Sequence, residues 1–303
     1  MVADNAHYHA QKHNRMLNIK DIIERNHAEP PEVAEIRARI TESFKNLEFQ
    51  EGPHKYYLHN DDGSVTELPS VSSVTHMFKP YVDWDDKAAQ YALKHDMAKH
   101  DVQRMWEENN VRATNNGTQT HAFGEAYMHF FMGNPDKMPD IIKPQYEKGY
   151  LIPYGKKQEA VCRFYEDLFT NDRIYPVMPE AQVYMGLNNT YDGVKSYAGT
   201  FDMLFAYKST DIWKLLIYDW KTNKSLENDY AREFGITATG EFSDMYDEPF
   251  TYYTLQLNCY SMCLQQLRYE VSDRKIIWLL DNGEYEKYSV PNITNRLTKA
   301  LQK

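Results

Sequence analysis

The stretch Ser196–Thr222 constrains the fold of this chain more than any other part of the sequence. Its pattern is typical of two β-strands joined by a short turn at Lys208–Asp211. Apolar residues run without a break from Leu215 to Tyr218, so the second strand is apolar on both of its faces. Because such a strand must be covered on both sides, we predict that it lies in the middle of a sheet.

Charged residues stand at the end of this apolar strand. The strand ends in Asp219, Trp220 and Lys221. Residues two apart in a strand project from the same face, so Asp219 and Lys221 point together and Trp220 points the opposite way. An Asp-x-Lys triplet is common, and on its own it most often forms a salt bridge at the tip of a strand. The rest of the chain is needed to decide whether this triplet does more.

The composition is that of an ordinary globular protein, with 42% hydrophobic and 26% charged residues among 303. The sequence contains no run of about 18 apolar residues, so we expect no transmembrane helix and no membrane partner. The N-terminus lacks the apolar segment of a secretory signal. With three cysteines, we expect a cytoplasmic protein without a disulfide framework and without an all-cysteine iron–sulfur cluster within one chain.

The net charge is −10, from 34 basic and 44 acidic residues. This balance argues against binding of nucleic acid over the whole surface, because the average electrostatic interaction with phosphate is repulsive. It leaves room for a local basic channel, or for a site where metal ions mediate the contact with phosphate.

The order of the predicted elements indicates the fold class. A mostly helical first part is followed by strands and further helices, which predicts an α/β (α+β) fold with a central mixed sheet flanked by helices. We predict a helical, partly flexible N-terminal arm at residues 1–46 and one domain at residues 47–303. Within that domain, helices dominate residues 70–175, and the sheet and C-terminal helices occupy residues 176–303.

Several individual elements have clear signals. Lys55–Leu58 and Val65–Leu68 form a hairpin pattern. The Asn-Asn-Gly-Thr run at 115–118 separates two predicted helices, Ala98–Glu108 and Thr118–Met132. The polar segment Asn223–Glu248 lacks periodicity and is interpreted as a lid or a substrate-facing loop. The other predicted elements are helices at Val33–Phe44, Trp84–Asp96, Lys156–Phe169, Phe250–Leu267 and 292–302, and strands at Ala181–Leu187, Ile276–Leu280 and Tyr285–Val290.

Four pieces of the sequence carry side chains suited to chemistry. His121 and Glu125 lie four residues apart on one face of a predicted helix. Each piece alone has an ordinary explanation, such as a structural histidine, a solvated glutamate or a polar helix face that bonds to the backbone. In chain order the candidates are His121, Glu125, Asp202, Asp219, Lys221, Gln256 and Tyr260.

Taken together and in this order, the pieces resemble the PD-(D/E)XK nuclease superfamily, specifically its RecB-like branch of phage and mitochondrial genome maintenance-type exonucleases. The signature of that branch is G-x-x-x-H, a G-h-x-D strand, a D/E-x-K strand and Q-x-x-x-Y. The resemblance spans Leu68–Tyr288, and it implies a sheet of the restriction-endonuclease-like type. The residues that carry it are Gly117 with His121, Gly199 with Asp202, Asp219 with Lys221, and Gln256 with Tyr260.

The residue types suit a metal site. Phosphodiester hydrolysis needs charge neutralised at the phosphate and a deprotonated water, and divalent metal ions supply both. Carboxylates suit Mg²⁺ and an imidazole suits Mn²⁺ better, so we expect one or two ions of either kind. The expected ligands are His121, Asp202, Asp219 and, as the resemblance implies, the backbone carbonyl of Trp220. The family often has a glutamate where Glu180 stands, although structural capping explains Glu180 equally well.

Roles follow for the remaining side chains. Lys221 would orient the water or help to deprotonate it, and would stabilise charge on the phosphate. Glu125 would bind a second ion or hold a metal-bound water. The expected catalytic residues are Asp202, Asp219, Lys221 and Glu125. The expected substrate-binding residues are Gln256, Tyr260 and Thr118.

The leading hypothesis is a divalent-metal-dependent DNA exonuclease that acts in phage-type replication, recombination or end processing. Its expected partners are DNA ends, single-stranded or duplex, and a recombination or replication protein. The sequence has no G-x-x-x-x-G-K-[ST] motif, so we expect no built-in helicase motor. Two alternatives stay open: a structure-specific or restriction-type endonuclease, and a catalytically silent DNA-binding module.

Overall fold

The computed structural model describes residues 19–147, 149–186 and 195–302. They form an α+β fold, as the sequence predicts. Within these three ranges, no helix combines the length and the apolar character needed to cross a membrane. The helices are α1 (19–27), α2 (Pro31–Ser43), α3 (Val71–His76), α4 (Trp84–Lys94), α5 (Lys99–Phe131), α6 (Lys156–Leu168), α7 (Asp229–Phe234), α8 (Pro249–Gln265) and α9 (Thr294–Leu301), with 3-10 turns at Pro135–Lys137, Lys143–Gln145 and Gly240–Phe242.

Most of the strands belong to one mixed sheet. The strands are β1 (Leu47–Gln50), β2 (Lys55–His59), β3 (Val65–Leu68), β4 (Tyr146–Glu147), β5 (Tyr150–Leu151), β6 (Ile174–Met185), β7 (Tyr197–Ser209), β8 (Ile212–Lys221), β9 (Val271–Leu279) and β10 (Tyr285–Ser289). Among the described residues the main sheet has the order β10-β9-β8-β7-β6. Strand β8 pairs parallel with β9 and antiparallel with β7. The prediction of a central position for β8 is therefore confirmed.

Two apolar cores cover the two faces of this sheet. Leu215 and Ile217 of β8 belong to one core, which also contains the buried face of α8. Leu216, Tyr218 and Trp220 belong to the other core, which contains α5 and α6. Adjacent residues of β8 thus alternate between the two cores, as strand geometry requires. This alternation sends Trp220 to the opposite side of the sheet from Asp219 and Lys221.

The hairpin predicted from the sequence is confirmed, and it is followed by a capped helix. Strands β2 and β3 form the predicted antiparallel hairpin, and Gly63 in its turn has a φ of 83°, a conformation that favours glycine. Ser70 caps α3, because its hydroxyl oxygen accepts a hydrogen bond from the Ser73 N–H at 3.0 Å. Strands β1, β2 and β3 form a separate small antiparallel sheet.

The predicted break at residues 115–118 is wrong, because α5 is one continuous helix of 33 residues. Asparagine and glycine have low helix propensity, but packing of one helical stretch stabilises the turns that continue from it. The C-terminal half of α5 supplies that packing through Phe123, Ala126 and Phe131, which are fully buried. His121 therefore lies on the same continuous helix as residues 109–117.

Two other elements differ from the sequence-based prediction. Strand β6 begins at Ile174, well before the predicted start at Ala181. Its pairing with β7 is irregular between Pro176 and Met178, so its first residues do not follow the regular alternation of a strand. The segment Asn223–Glu248 is more ordered than a loop, since it contains α7 and the buried side chain of Phe242. Helix α7 has only six residues, which is too few to show a helical period in the sequence. Residues 1–18 of the predicted arm and residues 187–194 lie outside the described ranges.

Gly124 allows α5 to lie directly against Trp220. A Cβ atom added at Gly124 would stand 2.4 Å from Trp220 Nε1, and the indole is only 1% exposed. A ring packed this tightly cannot move aside without displacing its neighbours. Glycine at this position therefore sets the distance between α5 and β8.

We expect Gly124→Ala to lower the free energy of unfolding by about 1–3 kcal/mol, because it overpacks this contact. Gly117→Ala in the same helix is the matched control. Its added Cβ would meet nothing closer than Thr222 Oγ1 at 3.6 Å, so the gain in helix propensity should raise stability by up to about 1 kcal/mol. Urea unfolding followed by circular dichroism measures both. Equal effects at the two positions would contradict this account of the helix–sheet contact.

Candidate metal centre

Three side chains from three different elements converge beside the end of β8. His121 comes from α5, Glu180 from β6 and Asp202 from β7. Each offers one ligand atom, and these atoms all lie within 4.8 Å of one another. An imidazole nitrogen and two carboxylate oxygens at this spacing could hold a metal ion.

The strand register brings the two carboxylates face to face. Pro179 pairs with Met203 and Ala181 pairs with Phe201, so Glu180 lies opposite Asp202 across the β6–β7 pair. Glu180 has a φ of 45°, in the left-handed region that non-glycine residues seldom adopt. Backbone strain of this kind persists only where the surrounding structure enforces it, and it is concentrated at functional sites.

Asp202 connects the elements that form the site. One carboxylate oxygen lies 3.0 Å from His121 Nδ1, and the other accepts a hydrogen bond from the Trp220 N–H at 2.6 Å. Burial alone would raise the pKa of Asp202, but His121, Lys221 and the Trp220 N–H outweigh burial and lower it. The pKa of His121 is raised, because the attraction of Asp202 exceeds the cost of burial. Asp202 is therefore an ionised group that crosslinks α5, β7 and β8.

The Asp-x-Lys triplet forms an ion pair next to this cluster. Lys221 Nζ contacts Asp219 Oδ2, donates a hydrogen bond to Gln256 Oε1 at 3.2 Å, and lies 4.3 Å from the centre of the Tyr253 ring. Burial and the neighbouring Asp202 raise the pKa of Asp219 to about 6. Asp219 therefore stands next to the three-residue cluster, with its carboxylate directed at Lys221.

Gln256 and Tyr260 support Lys221 from helix α8. Gln256 Nε2 donates a hydrogen bond to the Tyr260 hydroxyl at 3.1 Å while its carbonyl oxygen accepts from Lys221. Tyr260 is 3% exposed and packs against Gly199, where an added Cβ would stand 2.7 Å from its ring. The glycine before Asp202 thus makes room for the tyrosine that fixes Gln256.

Three other predicted site residues are not part of the three-residue cluster. Glu125 follows His121 by one helical turn, and its Oε1 lies 3.9 Å from His129 Nε2, an imidazole whose pKa burial lowers to about 4. Burial raises the pKa of Glu125 to about 7. Thr118 is exposed on α5. The N–H of Trp220 bonds to Asp202, and a ligand role for its carbonyl stays a prediction.

Glu180 is the residue that sequence reasoning placed least well. It was assigned no definite role, whereas it stands within the cluster itself. Desolvation and the nearby carboxylates of Asp202, Glu125 and Asp219 raise the pKa of Glu180 well above its ordinary value. The signal that could have identified it is its register opposite Asp202, which depends on the irregular pairing of β6 and is not visible in the sequence.

The cluster opens into a cleft of about 760 Å³. Of the cluster, His121 is part of its wall, and so is Lys221, so the imidazole and the ammonium group face the same opening. The cleft is lined by Asn109, Arg112, Ala113, Thr114, Asn116, Gly117, His121, Lys157, Trp220, Lys221, Thr222, Asn223, Lys224, Tyr253 and Asp281.

Comparison of the chain with known proteins gives no assignment. Neither the protein-family models nor the curated proteins contain a match to this sequence. The functional interpretation therefore depends on the geometry of the site and on the order of its motifs.

We expect Glu180→Gln to stabilise the metal-free protein and to reduce the gain in melting temperature that Mn²⁺ gives to the wild type. The substitution removes a charge that desolvation and neighbouring carboxylates disfavour, and it also removes a metal ligand. Thermal denaturation in EDTA and in Mn²⁺ measures both effects.

Glu248→Gln is the control for this comparison. Glu248 is a buried glutamate, but both of its oxygens accept hydrogen bonds from Arg232, at 2.7 and 3.0 Å. Its substitution should lower the melting temperature and leave the gain from Mn²⁺ unchanged. A full Mn²⁺ gain in Glu180→Gln would remove Glu180 from the ligand set.

Proposed function

We propose that this protein is a divalent-metal-dependent nuclease that hydrolyses phosphodiester bonds in DNA, of the PD-(D/E)XK type and its RecB-like branch. One observation carries the proposal. A three-ligand cluster of His121, Glu180 and Asp202 stands beside a buried Asp219–Lys221 ion pair, at the wall of a cleft. Anionic ligands and a fixed cation side by side suit a reaction in which both a metal ion and a phosphate are bound.

The ligand set fits Mg²⁺ or Mn²⁺. Two carboxylates provide the oxygen atoms that Mg²⁺ prefers as ligands. The imidazole nitrogen of His121 is a ligand that also suits Mn²⁺. The raised pKa of Glu180 means that burial and neighbouring carboxylates disfavour its ionised form, and a dication would stabilise that form. Asp219 joins the ligand set if Lys221 turns from it toward the substrate.

Lys221 acts on the phosphate as a fixed positive charge. Burial opposes protonation of Lys221, but Asp219 and Asp202 outweigh burial and raise its pKa. The ammonium group therefore stays protonated at neutral pH, so it stabilises negative charge on the phosphate instead of accepting a proton. A bound divalent ion supplies further charge neutralisation and makes water easier to deprotonate.

Gln256 and Tyr260 position this ammonium group. The hydrogen bonds from Lys221 to Gln256 and from Gln256 to Tyr260 hold the lysine on the cleft side of β8. Direct contact of Gln256 with DNA is compatible with its partial exposure, whereas Tyr260 is too deeply buried in this conformation to reach a substrate. We therefore assign Tyr260 a positioning role.

We expect Lys221→Ala and Asp202→Ala each to lower the rate of DNA cleavage by at least about 100-fold, since each removes a group that stabilises charge at the reacting phosphate. The measurement is digestion of end-labelled linear DNA, single-stranded and duplex, with Mg²⁺ or Mn²⁺ and with EDTA as the blank.

Lys275→Ala is the matched control, because β9 contains a second Asp-x-Lys triplet. Lys275 forms an ion pair with Asp273 of the same strand. Its register partner on β8 is Tyr218, whose side chain lies on the opposite face of the sheet from Asp219 and Lys221. Lys275→Ala should cleave DNA like the wild type. Wild-type turnover in Lys221→Ala would refute the site, and absence of cleavage in the wild type would favour the silent DNA-binding alternative.

The topology of the substrate separates exonuclease from endonuclease. An exonuclease degrades linear DNA and leaves covalently closed circles intact, whereas a structure-specific or restriction-type endonuclease cuts circles that contain its target. We propose the exonuclease, with DNA ends as substrate, and cleavage of closed circles would contradict that choice.

A further inference from the structure

Helix α5 has polar residues on the cleft side of the turns that precede His121. Asn109, Arg112 and Asn116, hereafter the α5 stripe, recur at intervals of three and four residues and line the cleft. The lining of the cleft continues from Asn109 to His121 through Ala113 and Gly117, in steps of four residues along the helix. At 1.5 Å per residue, Asn109 lies about 18 Å from His121 along the helix axis. The α5 stripe is thus a polar track that leads to the cluster.

The opposite wall of the cleft is the segment that follows Lys221. Lys157 Nζ fixes this wall, since it donates hydrogen bonds to the carbonyl oxygens of Thr222 at 3.0 Å and Leu279 at 2.8 Å. Lys157 also lies 3.1 Å from Asp281, so the acidic residue of the lining is paired. The polar segment Thr222–Lys224, which Lys157 holds in place, therefore lies across the cleft from the α5 stripe.

The charge of this cleft is opposite to that of the chain. The chain has a net charge of −10, whereas the cleft is lined by Arg112, Lys157, Lys221 and Lys224 against Asp281 alone among the described residues. Arg112 and Lys224 are exposed, and within the described part of the chain neither forms an ion pair. Unpaired cations among amides and hydroxyls are the usual contacts of a phosphate backbone.

We infer that the α5 stripe and Thr222–Lys224 bind the sugar–phosphate backbone of an unpaired DNA strand and guide it to the metal centre, with Arg112 and Lys224 as phosphate contacts. This inference rests on the proposed nuclease function and names its substrate. The cleft volume of about 760 Å³ is that of a site for small molecules. A cleft of this volume has room for a few nucleotides of one strand and is too small to enclose a double helix.

The test is the salt dependence of binding of the full chain to a short fluorescent oligodeoxynucleotide, measured by anisotropy in EDTA so that the probe is not cleaved. Each phosphate contact to a single strand contributes about 0.7 to the slope of log K against log salt concentration. The double variant Arg112→Ala/Lys224→Ala should lower that slope by about 1.4 and bind severalfold more weakly at low salt.

Arg104→Ala is the matched control. Arg104 is another exposed arginine of α5, but it is not among the residues that line the cleft, and it pairs with Asp101 at 2.6 Å. Its substitution should leave slope and affinity unchanged. A double variant that keeps the wild-type slope would overturn the inference, as would a blunt duplex of the same sequence that binds as tightly as the single strand.

Cleavage assays separate this inference from the proposed function. If the wild type cleaves DNA and Arg112→Ala/Lys224→Ala binds and cleaves equally well, the track is refuted and the nuclease stands. If the wild type never cleaves but the double variant loses salt-dependent binding, the track stands and the catalytic proposal is refuted.

Discussion

The site depends on the buried carboxylate of Asp202 more than on any other group. Its two oxygens contact His121 and the Trp220 N–H, so one side chain connects α5, β7 and β8. A buried carboxylate is tolerated only where hydrogen bonds and positive charge compensate for lost hydration. Asp202 has both, and in return it holds His121 toward Glu180. Gly124 adds the steric part of this arrangement, because it lets α5 rest on the indole of Trp220.

The same arrangement concentrates negative charge that the protein alone does not neutralise. Glu180 and Asp219 both have raised pKa values, since burial and the charge of Asp202 disfavour their ionised forms. A fold selected only for stability would replace one of them with a neutral residue. In the function proposed above, a bound dication completes the charge of the cluster, with Lys221 as the fixed cation beside it.

Much of this structure could be predicted from the sequence. The uninterrupted apolar run of β8 indicated a central strand, and the two-residue period placed Trp220 opposite Asp219 and Lys221. Those features are local, and they follow from burial and strand geometry. The continuity of α5 could not be predicted. Residues 115–117 are weak helix formers, and their helical conformation is stabilised by the packing of side chains from Phe123 onward.

The role of Glu180 could not be predicted for a related reason. Its position opposite Asp202 depends on irregular pairing in β6 and on a left-handed backbone conformation, neither of which leaves a sequence signal. The links from Lys221 to Gln256 and Tyr260 are likewise tertiary, although the order of the motifs had indicated that these residues belong together. A second Asp-x-Lys at Asp273 shows that the triplet alone does not identify a site.

The most direct test of the central claim is calorimetric titration of the metal-free protein with Mn²⁺. Asp202→Asn, which keeps the size of the side chain and removes its charge, is compared with the wild type and with Asp273→Asn. The account predicts saturable binding to the wild type and to Asp273→Asn, and affinity at least about tenfold weaker in Asp202→Asn. Equal Mn²⁺ affinity in all three proteins, or no binding to the wild type, would contradict it.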